Sequence, residues 1–162
     1  MPEAMMDDEL LLAAIGNHGW ALEHVPERLR SMGLCLAAVR WHGETLRWVP
    51  EAMRDERMCV EAVKSNGGAL RHVPEALRDR GTCLEAVTHW GETLQWVPMR
   101  LRDREVCMRA VADWGPSLEH VPEAMRDLGM CRTAIARPGG AHYVMEHVPE
   151  PLRALLLKEV RP

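Results

Sequence analysis

In the stretch DREVCMRAVADWG, residues 103–115, the apolar positions Cys107, Ala110, Val111 and Trp114 fall at i, i+3, i+4 and i+7. That spacing lines them up on one face of an α-helix. Asp103 stands where an N-cap acceptor is wanted, and Gly115 is placed to end the helix in the left-handed C′ conformation. The pattern predicts a helix of about ten residues. Just before it, Leu94, Val97 and Leu101 continue an apolar face at steps of three and four. Pro98 interrupts that face, because proline lacks an N–H and pushes the preceding residue out of the helical region. The expectation is a short helical turn, a break at Val-Pro, and a second short turn with the proline in its first turn. No segment alternates with period two, so no sheet is expected.

The same pattern recurs along the whole chain. Val-Pro stands at Val25-Pro26, Val49-Pro50, Val73-Pro74, Val97-Pro98 and Val121-Pro122, each 24 residues from the last, and Val148-Pro149 follows 27 later. Cys35, Cys59, Cys83, Cys107 and Cys131 keep the step of 24, as do Gly19, Gly43, Gly67, Gly91 and Gly115. Arg30, Arg54, Arg78, Arg102 and Arg126 form a third ladder. Units therefore begin at residues 2, 26, 50, 74, 98 and 122, and residues 149–162, with Leu152, Leu155, Leu156 and Leu157, read as a capping helix. One 24-residue unit cannot bury its own apolar face, so neighbours must stack. The fold expected for residues 1–162 is a single all-α solenoid, alternating helices of about ten residues with short helical turns. Met5, Met6, Asp7 and Asp8 make a weaker cap, and self-association is expected at that N-terminal end.

The unit LRDREVCxxAVxxxGxxLxxV resembles the tandem repeats of domain of unknown function 4116, whose units look like LRxDxxVVLxAVxxxGxALxxA. The similarity runs from about Met5 to Leu156, with Cys in place of a usual aliphatic residue and Val-Pro in place of a small-residue turn. That family has no assigned activity, so the resemblance implies a helical-repeat fold and no chemistry. The 24-residue length is also similar to that of the leucine-rich repeat variant, a superhelix of alternating α and 3₁₀ helices.

Composition narrows the function. The chain of 162 residues is 47% apolar and 27% charged, as ordered globular proteins are. Its net charge of −4 makes nucleic acid an unlikely partner, since phosphate binding draws on a basic surface. No apolar run reaches the roughly 20 residues of a membrane span, and MPEAMMDDEL lacks the basic start of a secretory signal. Five Cys, an odd number, point to a reducing, cytoplasmic compartment. Equivalent positions in stacked units lie roughly 8–10 Å apart, too far for disulfides, which need less than about 7 Å. Each Cys also sits on the Ala/Val face, so the ladder reads as core, and neither metal nor cofactor is expected. The eight His show no HExxH spacing, Ser31, Ser65 and Ser117 lie in no GxSxG setting, and no phosphate-cradling loop is present. The chain is not expected to be an enzyme.

What remains is surface. His24, Trp48, His72, Trp96, His120 and His147 occupy the position before Val-Pro and suggest a recognition strip. A second line, His18, His42, Asn66, Trp90 and Trp114, precedes the glycines. The first line is expected to be exposed and the second partly buried; the alternative is that these rings fill gaps between layers. Trp41 belongs to the positions that vary between units, and Arg137, His142 and Tyr143 lie in ARPGGAHY, read as an inserted loop. Each Arg of the ladder is expected to reach a neighbouring Asp or an orphan helix carbonyl. The function expected is a non-catalytic scaffold binding a protein partner through one face. The alternatives are a self-associating spacer or a binder of ligand or nucleic acid.

Overall fold

The computed structural model describes residues 8–137 and 141–160. Met5, Met6 and Asp7, three residues of the inserted stretch (138–140) and the last two of the capping segment (161–162) lie outside the described residues. The α-helices are α1 (Asp8–Asn17), α2 (Met32–Trp41), α3 (Glu56–Ser65), α4 (Arg80–His89), α5 (Arg104–Asp113), α6 (Leu128–Ile135), α7 (Ala141–His147) and α8 (Glu150–Val160). After each of α1 to α5 comes a six-residue 3₁₀ helix, such as Gly43–Trp48, and a three-residue one, such as Glu51–Met53. No described residue is in a strand. The alternation of α and 3₁₀ segments is the one that the sequence pattern and the resemblance imply. The chain divides into two compact units, residues 1–82 and 83–162.

Local chemistry explains each boundary. Asp55 accepts from the Met58 N–H at 2.7 Å, and Asp103 from the Val106 N–H at 3.0 Å, so each helix start finds an acceptor for an orphan donor. Ser31 and Asp127 do the same for α2 and α6. At the other end, Val49 and Val97 are extended, with ψ of 129° and 126°, as a residue before proline should be. Pro50 and Pro98 stand at the N-cap of the short 3₁₀ turn, one position earlier than a first-turn proline.

The glycines act differently from the expectation. The residue before the glycine is extended at His18, His42, Asn66 and Trp114, with φ −143° at His42 and −131° at Trp114, and the glycine begins the next 3₁₀ helix. It is needed for closeness, not for a left-handed turn. A Cβ on Gly43 would collide with the Ala62 carbonyl oxygen in α3, and one on Gly115 with that of Ala134 in α6. Trp114 accordingly leaves the apolar face assigned to it and is 50% exposed.

The core is the repeated part. Leu34, Cys35, Ala38 and Val39 of α2 are buried, as are Met58, Cys59, Ala62 and Val63 of α3 and Val106, Cys107, Ala110 and Val111 of α5. Leu22, Leu46, Leu70, Leu94 and Leu118 add a fully buried leucine from each six-residue 3₁₀ helix. Each buried Leu, Val or Met contributes about 1.5–3 kcal/mol. In residues 1–82, α1 packs on α2 and α2 on α3; in residues 83–162, α5 packs on α6 and α6 on α7.

The arginine ladder ties this stack together through main-chain oxygens. Arg54 donates from Nε to Val49 O (2.9 Å) and from Nη2 to Arg47 O (3.2 Å), both in the preceding unit, and from Nη1 to His72 O at the far end of its own unit (3.0 Å). Arg102 repeats this with Val97, Gln95 and His120, and Arg126 with Val121, Glu119 and His147. The carbonyls left over where a 3₁₀ helix ends thus find their donor in a planar guanidinium. The neighbouring aspartates Asp55, Asp79, Asp103 and Asp127 cap helices.

Candidate interaction surface

Burial reverses the expected order of the two ring lines. Before Val-Pro, only His24 is exposed; Trp48, His72, Trp96, His120 and His147 are half-buried. The carbonyls of Trp48, His72, His120 and His147 receive the arginine of their own unit, which draws this position into the stack. Before glycine, His18, His42, Trp90 and Trp114 are exposed and Asn66 is half-buried. The glycine presses against the next helix, so the side chain preceding it turns outward. Trp20, one residue past Gly19, is 44% exposed, and Trp41 reaches 62%. A residue flanking a glycine that must approach backbone is the signal that would have found Trp20, Trp90 and Trp114.

In residues 1–82 the rings meet one another. Trp20 stacks on His42 with centroids 5.7 Å apart and meets Trp48 edge-on at 5.2 Å. The Arg47 guanidinium lies 5.0 Å from the Trp48 centroid, within cation–π range. Glu44, whose side chain is only 14% exposed, is engaged by Arg71 and by His72 Nε2 at 3.3 Å. Arg71 Nε also lies 3.0 Å from His72 Nε2, a nitrogen that accepts from Arg71 in one tautomer and donates to Glu44 in the other. Burial lowers the His72 pKa against the opposing pull of Glu44.

In residues 83–162 Glu92 and Asp113 stand beside Trp90 and Trp114. Trp90 is 41% exposed. The Gly91 N–H donates to Asp113 Oδ2 at 2.7 Å, fixing the end of α5 against the 3₁₀ helix of the preceding junction. A cavity of about 180 Å³ opens beside Trp114, bounded also by Glu92, Gln95, Ser117, Glu119 and His120. Burial lowers the His120 pKa, so its imidazole is neutral at pH 7. His147 Nε2 lies 3.9 Å from Glu119 Oε2.

Arg137 is exposed. His142 and Tyr143, read from sequence as loop, sit in the first turn of α7; both are exposed, Tyr143 by 66%, and their rings meet at 5.9 Å. The three residues added to the last unit therefore accompany an α-helix where other units have a 3₁₀ helix. All five thiols are buried. Burial pushes the Cys59 and Cys107 pKa values up to about 11, outweighing the nearby Arg54 and Arg102, so both stay protonated at neutral pH. Among the described residues no set of three His, Cys, Asp or Glu converges to hold a metal ion, and no helix is long and apolar enough to cross a membrane.

Tandem 24-residue units of α and 3₁₀ helix, with a shared core and side chains that vary at the helix exits, define a helical-repeat protein. The family model "Domain of unknown function (DUF4116)" matches residues 7–54, 32–78 and 79–126, so the chain belongs to that family. No curated protein and no solved structure matches the chain significantly.

Proposed function

We propose that this chain is a non-catalytic scaffold that binds another protein through the indole-bearing junctions between its α- and 3₁₀ helices. The observation that carries the reading is the exposure of Trp20, Trp41, Trp90 and Trp114, between 41% and 62%, beside a core that is complete without them. Large rigid rings left in water close to the same junctions are the side chains that anchor protein interfaces. The protonated, buried thiols support a non-catalytic role, since the thiolate is the reactive form. The test is an affinity pull-down from host lysate with the wild-type chain and with a Trp20→Ala/Trp41→Ala/Trp90→Ala/Trp114→Ala variant whose far-UV circular dichroism is unchanged. A partner captured by the wild type and lost by the variant supports the reading; equal capture by both overturns it. A second reading, self-association, is favoured by Leu10 and Leu12 on α1, each 45% exposed. Sedimentation that depends on concentration, and that Leu10→Gln/Leu12→Gln abolishes, would establish it.

A further inference from the structure

We infer that the Arg47 guanidinium, which lies over the Trp48 ring, takes an acidic side chain presented by a partner protein, an inference that rests on the protein-binding reading above. The repeat supplies the first argument. Arg47 and Arg71 stand 24 residues apart at equivalent places, and so do Trp20 and Glu44. Arg71 pairs with Glu44, which His72 Nε2 also approaches to 3.3 Å. One unit earlier the Trp20 indole stands where that carboxylate would be, and Arg47 forms no ion pair among the described residues.

Local geometry prepares the guanidinium for a ligand. It lies 5.0 Å from the Trp48 centroid, and Trp20 meets the same indole edge-on at 5.2 Å while stacking on His42. A guanidinium resting on an indole has less freedom to lose on binding than one in open water, and its planar fork keeps N–H donors for a carboxylate. Arg47 is exposed, and Trp20 by 44%, so solvent reaches both. The charge is open as well. Among the side chains that these contacts join, two guanidiniums, Arg47 and Arg71, stand against one carboxylate, Glu44, and Glu44 is already engaged by Arg71 and His72. Burial lowers the His72 pKa and Arg47 lowers it further, so that imidazole is neutral at pH 7. One positive charge is left over, and it is the one that lies on the rings.

The surroundings select the source of the anion. Trp41, 62% exposed, and His42 crowd against Gly19, the residue before Trp20, so the indoles of Trp20 and Trp41 belong to one patch. A single cation at the edge of exposed indoles fits an acidic residue with apolar neighbours, the carboxylate on the fork and the neighbours on the rings. A nucleic-acid backbone would instead call for a run of cations, in a chain whose net charge is −4.

The experiment is an NMR titration of the full chain, following the Arg47 Nε–H and the Trp20 and Trp48 indole N–H signals. The probes are acetyl-Leu-Glu-Leu-amide, its glutamine counterpart and acetate. The glutamate peptide should shift these signals and saturate, with the glutamine peptide weaker by about tenfold or more, as loss of a charge-assisted pair implies. Arg47→Gln should weaken the glutamate peptide on the order of tenfold, and Arg47→Lys by about threefold, since an ammonium keeps the charge and loses the fork, with circular dichroism unchanged in both. Trp20→Glu returns to this junction the carboxylate that Glu44 supplies one unit on. It should therefore bind the peptide more weakly than Trp20→Gln by about tenfold, because Arg47 is then paired within the chain. Equal binding of the two peptides, unchanged binding by Arg47→Gln, or no saturation by about 50 mM would overturn the inference. Acetate binding as tightly as the peptide would overturn its protein source. If the fourfold Trp variant loses its captured partner while the glutamate peptide fails to bind the wild type, the interaction surface stands and only the occupant of Arg47 falls.

Discussion

In residues 1–82 the junction rings lean on one another. Trp20 lies on His42 and against Trp48, Arg47 covers Trp48, and Glu44 is held by Arg71 and His72. In residues 83–162 the corresponding junctions carry Trp90, Trp114 and Glu92, and a cavity stays open between an indole and two carboxylates. Beneath both, the same Leu, Val, Cys and Ala positions are buried, and the same Arg-to-carbonyl bonds recur. The difference teaches where the repeat is free to change: at side chains that neither the core nor the arginines touch.

Substitutions can test whether the core is shared as closely as the surfaces diverge. The largest effect is expected at the close approaches. Gly43→Ala and Gly91→Ala drive a methyl into the carbonyl oxygens of Ala62 and Ala110, and each should lose about 3 kcal/mol in urea unfolding followed by tryptophan fluorescence. Gly33→Ala, with nothing within 4 Å of its added Cβ, should instead gain about 0.5 kcal/mol as a better helix former. Tolerance of Gly91→Ala beside intolerance of Gly43→Ala would break the idea of one core plan. Next come Arg54→Lys and Arg102→Lys. An ammonium cannot span three carbonyls held by a planar fork, so each should cost about 2 kcal/mol by the same measurement, and unequal losses would separate the two halves. The smallest effect sharpens the contrast most. Thr45→Val removes a bond to His42 O and should cost about 1 kcal/mol, whereas Thr93→Val removes a buried hydroxyl without a partner and should cost nothing or stabilise.

The fold was legible because its determinants are local and repeated. Asp103 as N-cap, the break at Val97-Pro98, and the burial of Cys107, Ala110 and Val111 each follow from one residue type at one spacing. The surface was harder to read because it depends on contacts between units. The exposure of Trp114 follows from how closely Gly115 approaches Ala134 in α6, and the half-burial of Trp48 goes with its carbonyl serving Arg30. A sequence face assigned by period alone carried the helix one residue too far, through Trp114. It also had no means of seeing that Ala141–His147 would close into α-helix beside the added residues.

The Arg54 bonds have one more consequence. Their acceptors are main-chain oxygens of residues as unlike as Arg47, Val49 and His72. A seam made this way is indifferent to the side chains of its acceptors, so a module that keeps the buried core and the close-approach glycine can follow any other that keeps them. Unequal crossing-over between copies would change the number of modules while every seam still closed, and the array can lengthen or shorten in steps of 24 without a compensating substitution. The same indifference makes its modules interchangeable parts, each able to carry a new contact to whatever place in the array it is moved.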